Sequence, residues 1–381
     1  MDKQRRYLLK LAIASSVTIN TRGMKAAESV QSAGSKMKKL KPVSYQRIAC
    51  EEAFITPDLS HALWELVNNN PPDDPGFISM WRGIGANKHF MGKLLDLGES
   101  RIADMDATGI AKQILMVTAP GVQVFDAPTG TALARSVNDQ LADACRKYPD
   151  RFIGMAAVAP QDPHGAAQEI ERGKSKLGFK GAVINSHTHG EYLDDPKYWE
   201  IFEAAEALQA PIYIHPTPPP QPLIGPYLSR GLEGPLAGFS AEVYLHTLAI
   251  ITAGVFDRFP GLKIIIGHLG EGLPYLMYRL DYMQHHAARP GLRGRKEGTK
   301  LKKKISAYMK ENIYITTSGM AWPPAIMFAQ SVLGMDRVLY AMDYPYQFDI
   351  DEVIATDGIP ISDDDRKKLY QWNAEQVYAL G

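Results

Sequence analysis

The sequence predicts an α/β fold, a single (β/α)8 TIM barrel spanning residues 45–381. Three observations predict it. Eight short runs are apolar throughout rather than alternating, which marks strands buried on both faces and therefore paired in parallel. Each run is followed by a helical pattern, and eight such units close into one barrel. A doubly wound open sheet is the rival architecture. It normally carries a glycine-rich first turn, and Glu51-Glu52-Ala53-Phe54 offers no phosphate cradle.

The first run is Arg47 to Phe54, and it carries two acids. Thr56-Pro57-Asp58 opens a helix with Leu59, Leu63 and Leu66 on one face. Phe77 to Arg82 follows a polar loop and reads as a lid over the mouth rather than as core. Leu94 to Thr108 reads as one helix ended by Gly109. The second strand is Gln113 to Thr118, followed by a helix from Ala132 to Tyr148. The third is Phe152 to Val158, with a helix from Ala166 to Leu177. The fourth is Lys180 to Asn185, with a helix from Pro196 to Leu208. The fifth is Pro211 to His215, then a Pro- and Gly-rich segment to Gly238 and a helix from Ala241 to Ala253. The sixth is Lys263 to His268, with a helix from Leu273 to His286 and a basic loop from Arg289 to Lys304. The seventh is Asn312 to Thr317, with a helix from Pro323 to Leu333. Val338 to Met342 is the eighth, ending on Asp343, and Ser362 to Leu380 is the closing helix.

A hydrophobic fraction of 45% over 381 residues is enough for a large core. Lys+Arg and Asp+Glu are both 42, so charge balance points to no nucleic acid and no anionic membrane surface as partner. No run of 18 apolar residues is present, so no membrane span is expected. Two cysteines, Cys50 and Cys145, exclude a disulfide framework and a zinc finger. Gln4-Arg5-Arg6-Tyr7-Leu8-Leu9-Lys10, with a mildly apolar stretch to Ile19, resembles a twin-arginine export signal. Residues 1–44 are therefore read as a leader outside the fold. A periplasmic location is expected if that leader functions, and a cytoplasmic one otherwise.

In a barrel of this kind the chemistry sits at the C-terminal ends of the strands. The ends here form a set. Strand one carries Glu51 and Glu52, of which only one can point inward. Strand four runs into His187 and His189, strand five ends in His215, strand six in His268 and strand eight in Asp343. A carboxylate at the end of an apolar strand is costly unless something pairs with it. Asp343 is therefore read as a ligand of one divalent metal rather than as a simple helix cap. Carboxylate and imidazole together suit Zn²⁺, Mn²⁺ or Fe²⁺, and no thiolate favours zinc.

Glu51-Glu52-Ala53-Phe54, Pro211-Ile212-Tyr213-Ile214-His215-Pro216, Gly267-His268-Leu269-Gly270-Glu271 and Met342-Asp343-Tyr344-Pro345 resemble the amidohydrolase superfamily. Within it they resemble the non-oxidative aromatic carboxylate decarboxylases of the aminocarboxymuconate-semialdehyde-decarboxylase-like group. The stretches 94–122, 141–163, 177–187 and 276–282 are similar to the 5-carboxyvanillate decarboxylases. The resemblance implies Mn²⁺ or Zn²⁺ on Glu51, His215 and Asp343. It places His268 beside metal and substrate, Arg279 as a clamp for the substrate carboxylate, and Tyr346 near the substrate. Relatives carry a second first-strand ligand, a histidine, where this chain has Ala53. A further family arginine has Arg82 or Lys88 as its candidate here, and His187 is a candidate substrate contact.

The activity implied is loss of CO₂ from an ortho-hydroxylated, 5-carboxyvanillate-like aromatic acid. An aryl carbanion is too unstable to form directly, so ring protonation must come first. Asp343 with His268 is the candidate for proton delivery. Phe54, Trp81, Tyr346 and Trp322 are candidates for a wall that excludes water. The alternative is hydrolysis of a lactone, ester or amide by metal-activated water, with the same Asp343 as base. A homo-oligomer, dimer or tetramer, is the expected assembly.

Overall fold

The computed structural model describes residues 40–287 and 300–381. The leader signature and most of the basic loop lie outside the described residues. Residues 42–381 form one compact unit.

Its strands run in chain order around the unit. They are β1 Ile48–Phe54, β2 Lys112–Val117, β3 in two segments (Phe152–Gly154 and Ala156–Ala157), and β4 Ala182–Ile184. Then come β5 Ile212–Ile214, β6 Ile264–Ile266, β7 Ile313–Thr316 and β8 Val338–Leu339. Every pairing between neighbours is parallel. The two segments of β3 flank Met155, whose N–H reaches Leu115 O at 2.9 Å on one side, while Ala156 N reaches Gly181 O at 2.8 Å on the other. One strand thus joins a three-stranded and a six-stranded sheet.

Closure comes from the far end of the chain. Cys50 N donates to Tyr340 O at 2.9 Å, and Ala53 N donates to Tyr344 O at 2.7 Å. The barrel is therefore complete, as the eight apolar runs predict. Ile212, Ile214, Ile265 and Ile266 are fully buried, consistent with β-branched residues walled by helices on one face and the barrel interior on the other. No helix among the described residues is long and apolar enough to cross a membrane.

Four local expectations are corrected. The stretch from Leu94 to Thr108 is two helices, Lys88–Leu95 and Glu99–Thr108. The Asp96 carboxylate accepts from Gly98 N at 2.8 Å and Arg101 N at 2.9 Å, so it caps the second helix and breaks the first. Residues 77–82 are not an open lid. They belong to helix Pro75–Ile84, which buries Phe77 and Trp81. The Pro- and Gly-rich segment after β5 holds a helix, Gln221–Leu228. The closing helix contains a π-type turn, Lys368–Trp372, whose Leu369 O accepts from Tyr340 N at 3.0 Å and so ties it to the last strand.

Candidate metal centre and active site

β1 carries an extra residue relative to β2. Ala49 pairs with Gln113 and Glu52 with Leu115, so three steps on β1 face two on β2. A bulge of this kind re-aims side chains. Here it sits where two adjacent acids diverge. Glu51 turns into the barrel, and its Oε2 accepts from the hydroxyls of Tyr213 on β5 and Thr316 on β7, the latter at 2.7 Å. Glu51 Oε1 is fully buried and has no hydrogen-bond partner.

That orphaned oxygen is the centre of the site. His215 Nε2 lies 3.8 Å from it and His268 Nε2 3.9 Å. His268 Nε2 is also 3.9 Å from Asp343 Oδ2. These separations are too long for hydrogen bonds. They suit donors spaced around a common cation at about 2.0–2.2 Å from each. Glu51, His268 and Asp343 can each present one ligand atom within 4.8 Å of the others. Two glycines keep the space open. A Cβ on Gly267 would come within 2.9 Å of both Glu51 oxygens, and one on Gly319 within 3.2 Å of His268. The donor set fits a divalent metal, with two carboxylates, imidazole and no thiolate. Cys50 is buried with its Sγ on Ile48 O.

The two imidazoles differ in charge. Burial pushes His215 down, outweighing the Glu51 carboxylate, so its ring is neutral. Its Nδ1–H donates to Pro216 O at 2.9 Å, which leaves the Nε2 lone pair facing Glu51. Burial also opposes charge on His268, but Glu271, Glu51 and Asp343 overcome it and hold His268 well above the usual histidine range. Its Nδ1–H donates to Glu271 Oε1 at 2.5 Å. Burial raises Asp343 to about 6, with His268 opposing. Glu51 stays low because His268 and the hydroxyls of Tyr213 and Thr316 outweigh its burial. His268 and Asp343 are about a fifth exposed, at 21% and 17%, so they form the open side of the cluster.

A family model described as Amidohydrolase matches residues 90–380. The chain belongs to the amidohydrolase family. Among its relatives is the gamma-resorcylate decarboxylase of Polaromonas sp., 38% identical over 299 residues, which spans 76% of this chain and 89% of that one. A solved 5-carboxyvanillate decarboxylase from Novosphingobium aromaticivorans, with bound manganese and 3-methoxy-4-hydroxy-5-nitrobenzoic acid, is 48% identical. It superposes with a TM-score of 0.86, covering 90% of this chain and all of that one. The 5-carboxyvanillate decarboxylase of Sphingomonas paucimobilis is 38% identical, with a TM-score of 0.84 and coverage of 89% and 100%.

In this amidohydrolase, Tyr346 is tied to the turn that carries Asp343. Its N–H donates to Asp343 O at 2.8 Å, its hydroxyl shares a short contact with Thr118 Oγ1, and its ring lies 5.7 Å from that of Phe90. Phe54 and Trp81 are buried in the body, while Trp322 is 62% exposed and forms no wall. Arg279 is not brought to the cluster of its own chain. It shares the outward face of helix Leu273–Ala287 with Tyr275 and Tyr278, which are largely exposed, whereas Leu273 and Met277 face inward. Arg82 and Lys88 are likewise exposed and contact none of the four donors. The clamp expected of these residues is therefore not formed within the chain.

His187 lines a cavity of about 420 Å³ together with Asp74, Gln123, Asn185, His189 and Thr217. None of the four metal-site donors lines it. Both nitrogens of His187 are committed, with Nε2–H donating to Pro218 O at 3.1 Å and Nδ1 accepting from Gly190 N at 3.2 Å. Burial keeps this ring neutral. It shapes the loop and has no free nitrogen for a substrate carboxylate.

Behind that loop Ser186 donates to Glu242 Oε1 at 2.8 Å and lies 3.1 Å from His246 Nδ1, while Leu193 N donates to His246 Nε2 at 3.1 Å. Burial pushes His246 from 6.5 down to about 3. The unfolded chain therefore binds a proton between those values that the folded chain does not. Stability from this group is complete above pH 6.5 and is lost as pH falls through that value toward 3. Urea unfolding should show wild type losing about 2 kcal/mol more than His246→Gln between pH 7 and pH 5. Equal losses would remove His246 as the acid-sensitive group.

Tyr213, Thr316, Gly319 and Phe90 were not anticipated as site residues. Tyr213 had a signal. It precedes His215 by two in a strand and so shares its face. The others are placed by tertiary packing alone.

Proposed function

We propose that this chain is a divalent-metal-dependent, non-oxidative decarboxylase of an ortho-hydroxylated aromatic acid, with 5-carboxyvanillate the substrate class favoured by its relatives. The donor set suits Mn²⁺ and Zn²⁺ alike, and the manganese bound in the Novosphingobium enzyme favours Mn²⁺. The observation that carries the reading is the unpartnered, buried Glu51 Oε1, with His215 Nε2 at 3.8 Å and His268 Nε2 at 3.9 Å from it. Glu51, His215 and Asp343, the set that the family resemblance implies, are the proposed ligands; His268, which shares the compact donor group with Glu51 and Asp343, is the proposed proton carrier facing them.

When bound, the cation would hold the phenolic and carboxylate oxygens of the substrate together and fix the plane of its ring. Glu271 keeps His268 protonated, and His268 faces Asp343, so this pair delivers a proton to the ring carbon that bears the carboxylate. The substrate enters as the phenolate, so on protonation that carbon becomes tetrahedral and the phenolate oxygen becomes a ring carbonyl. The bond to the carboxylate then breaks, its electrons restore the aromatic ring, and CO₂ leaves. Tyr346, held by Thr118 and packed on Phe90, borders the ring and limits water.

The test is a panel of ortho-hydroxybenzoates, 5-carboxyvanillate included, assayed for CO₂ release with Mn²⁺ and with Zn²⁺. Release from at least one member, faster with Mn²⁺ than with Zn²⁺, is expected. No release from any member, together with turnover of lactones or amides, would replace this reading with metal-assisted hydrolysis.

A further inference from the structure

We propose that Glu52 is a positioning residue for Asp343, holding the backbone turn that aims the Asp343 carboxylate into the donor cluster. The proposal rests on Asp343 being a cation ligand, as argued above. Asp343 has φ 68°, in the left-handed region that is uncommon for residues other than glycine, although aspartate and asparagine enter it more readily than most. Glu52 holds the turn there. Its Oε1 accepts from Met342 N at 2.9 Å and its Oε2 from Tyr344 N at 3.1 Å. One carboxylate therefore clips the N–H on either side of Asp343, reaching across from the first strand to the last.

The clip is itself anchored. Glu52 is fully buried and points away from the barrel interior that Glu51 occupies. Gln113 Nε2 reaches Glu52 Oε2 at 3.5 Å, and Gln113 Oε1 accepts from Arg101 Nη1 at 3.2 Å. The Arg101 guanidinium lies 4.4 Å over the Tyr344 ring and donates to Ala53 O at 2.7 Å. Arg101 also donates to Asp96 O at 2.7 Å and to Lys93 O at 3.1 Å, so this buried chain of contacts ties the turn that carries Asp343 to β1 and to the segment before the Arg101 helix. The bulge in β1 gives the two adjacent acids their division of labour. Glu51 faces the cation directly, and Glu52 sets the residue opposite.

A glutamine at position 52 is nearly the same shape but has one oxygen and one NH₂. It can accept from only one of the two flanking N–H groups and sets donor against donor at the other. Glu52→Gln and the shorter Glu52→Asp, which keeps two acceptor oxygens, are therefore the variants to compare, in the full chain stripped with chelator and titrated with Mn²⁺ by calorimetry. Groups that orient metal ligands typically change affinity by about 10–100-fold when altered. A loss of that size is expected for Glu52→Gln, a smaller one for Glu52→Asp. For the preferred substrate at saturating Mn²⁺, kcat should fall while KM moves less than about threefold. Glu169→Gln is the comparison. Glu169 is also buried, accepts from Asn138 Nδ2 at 2.8 Å, and contacts none of the four donors. It should lower the melting temperature and leave Mn²⁺ affinity unchanged. Wild-type Mn²⁺ affinity in Glu52→Gln would overturn the proposal. So would failure of both Glu52 variants to fold, which would assign the residue to the barrel rather than to the site. The titration needs no substrate, so a wild type that releases no CO₂ would defeat the proposed activity and leave this result standing.

Discussion

Asp343→Asn is expected to lower turnover by about 10²–10⁴-fold, the range for loss of a positioned acid–base group, while the protein stays folded. Asparagine matches the size of aspartate and tolerates the left-handed backbone at φ 68°. The Glu52 contacts to Met342 N and Tyr344 N involve backbone only and survive the change. What is lost is a carboxylate that helps hold His268 protonated and faces its Nε2 at 3.9 Å. The variant should unfold at nearly the wild-type temperature and bind Mn²⁺ more weakly. Wild-type turnover in this variant would take Asp343 out of proton delivery.

His215→Ala is expected to leave well under one cation per chain by elemental analysis. His215 is the imidazole whose burial keeps it neutral and whose Nδ1–H is already committed to Pro216 O, so its Nε2 is prepared to ligate. His268, whose Nδ1–H is donated to Glu271 Oε1 at 2.5 Å, is the proton carrier in this reading rather than a ligand. Activity should vanish with the metal and should not return on adding Mn²⁺ at concentrations that restore chelator-treated wild type. Full metal content in the variant would mean that His268 is the ligand and His215 the bystander.

Much of this site was legible in the chain. Runs such as Ile264-Ile265-Ile266 and Pro211-Ile212-Tyr213-Ile214 can be satisfied only in a doubly covered strand, so barrel and rim followed together. Residues at the ends of those strands, Glu51, His215, His268 and Asp343, then had to converge. The roles of single side chains were less legible because they depend on neighbours distant in sequence. Alternation says that only one of Glu51 and Glu52 faces inward, but the bulge between Ala49 and Glu52 is visible only in the pairing with β2. Arg279 lies within a helix whose apolar residues do not mark one clear face, so its outward orientation emerged only from packing. Asp96 broke a helix through hydrogen bonds to Gly98 and Arg101 that periodicity does not report.

Barrel closure has a consequence for how the protein is made. The hydrogen bond from Met342 to Glu52 spans 290 residues, nearly the whole barrel. A ribosome-bound chain that has released β1 through β7 therefore holds only half of the carboxylate pair. With Asp343 as a ligand, as proposed above, cation capture would wait for the final strand to emerge, and contacts this remote in sequence form slowly. Once captured, the ion stabilises only complete chains by mass action. A protein truncated before residue 343 would gain nothing from manganese in its surroundings, and metal supply would then select finished molecules over fragments.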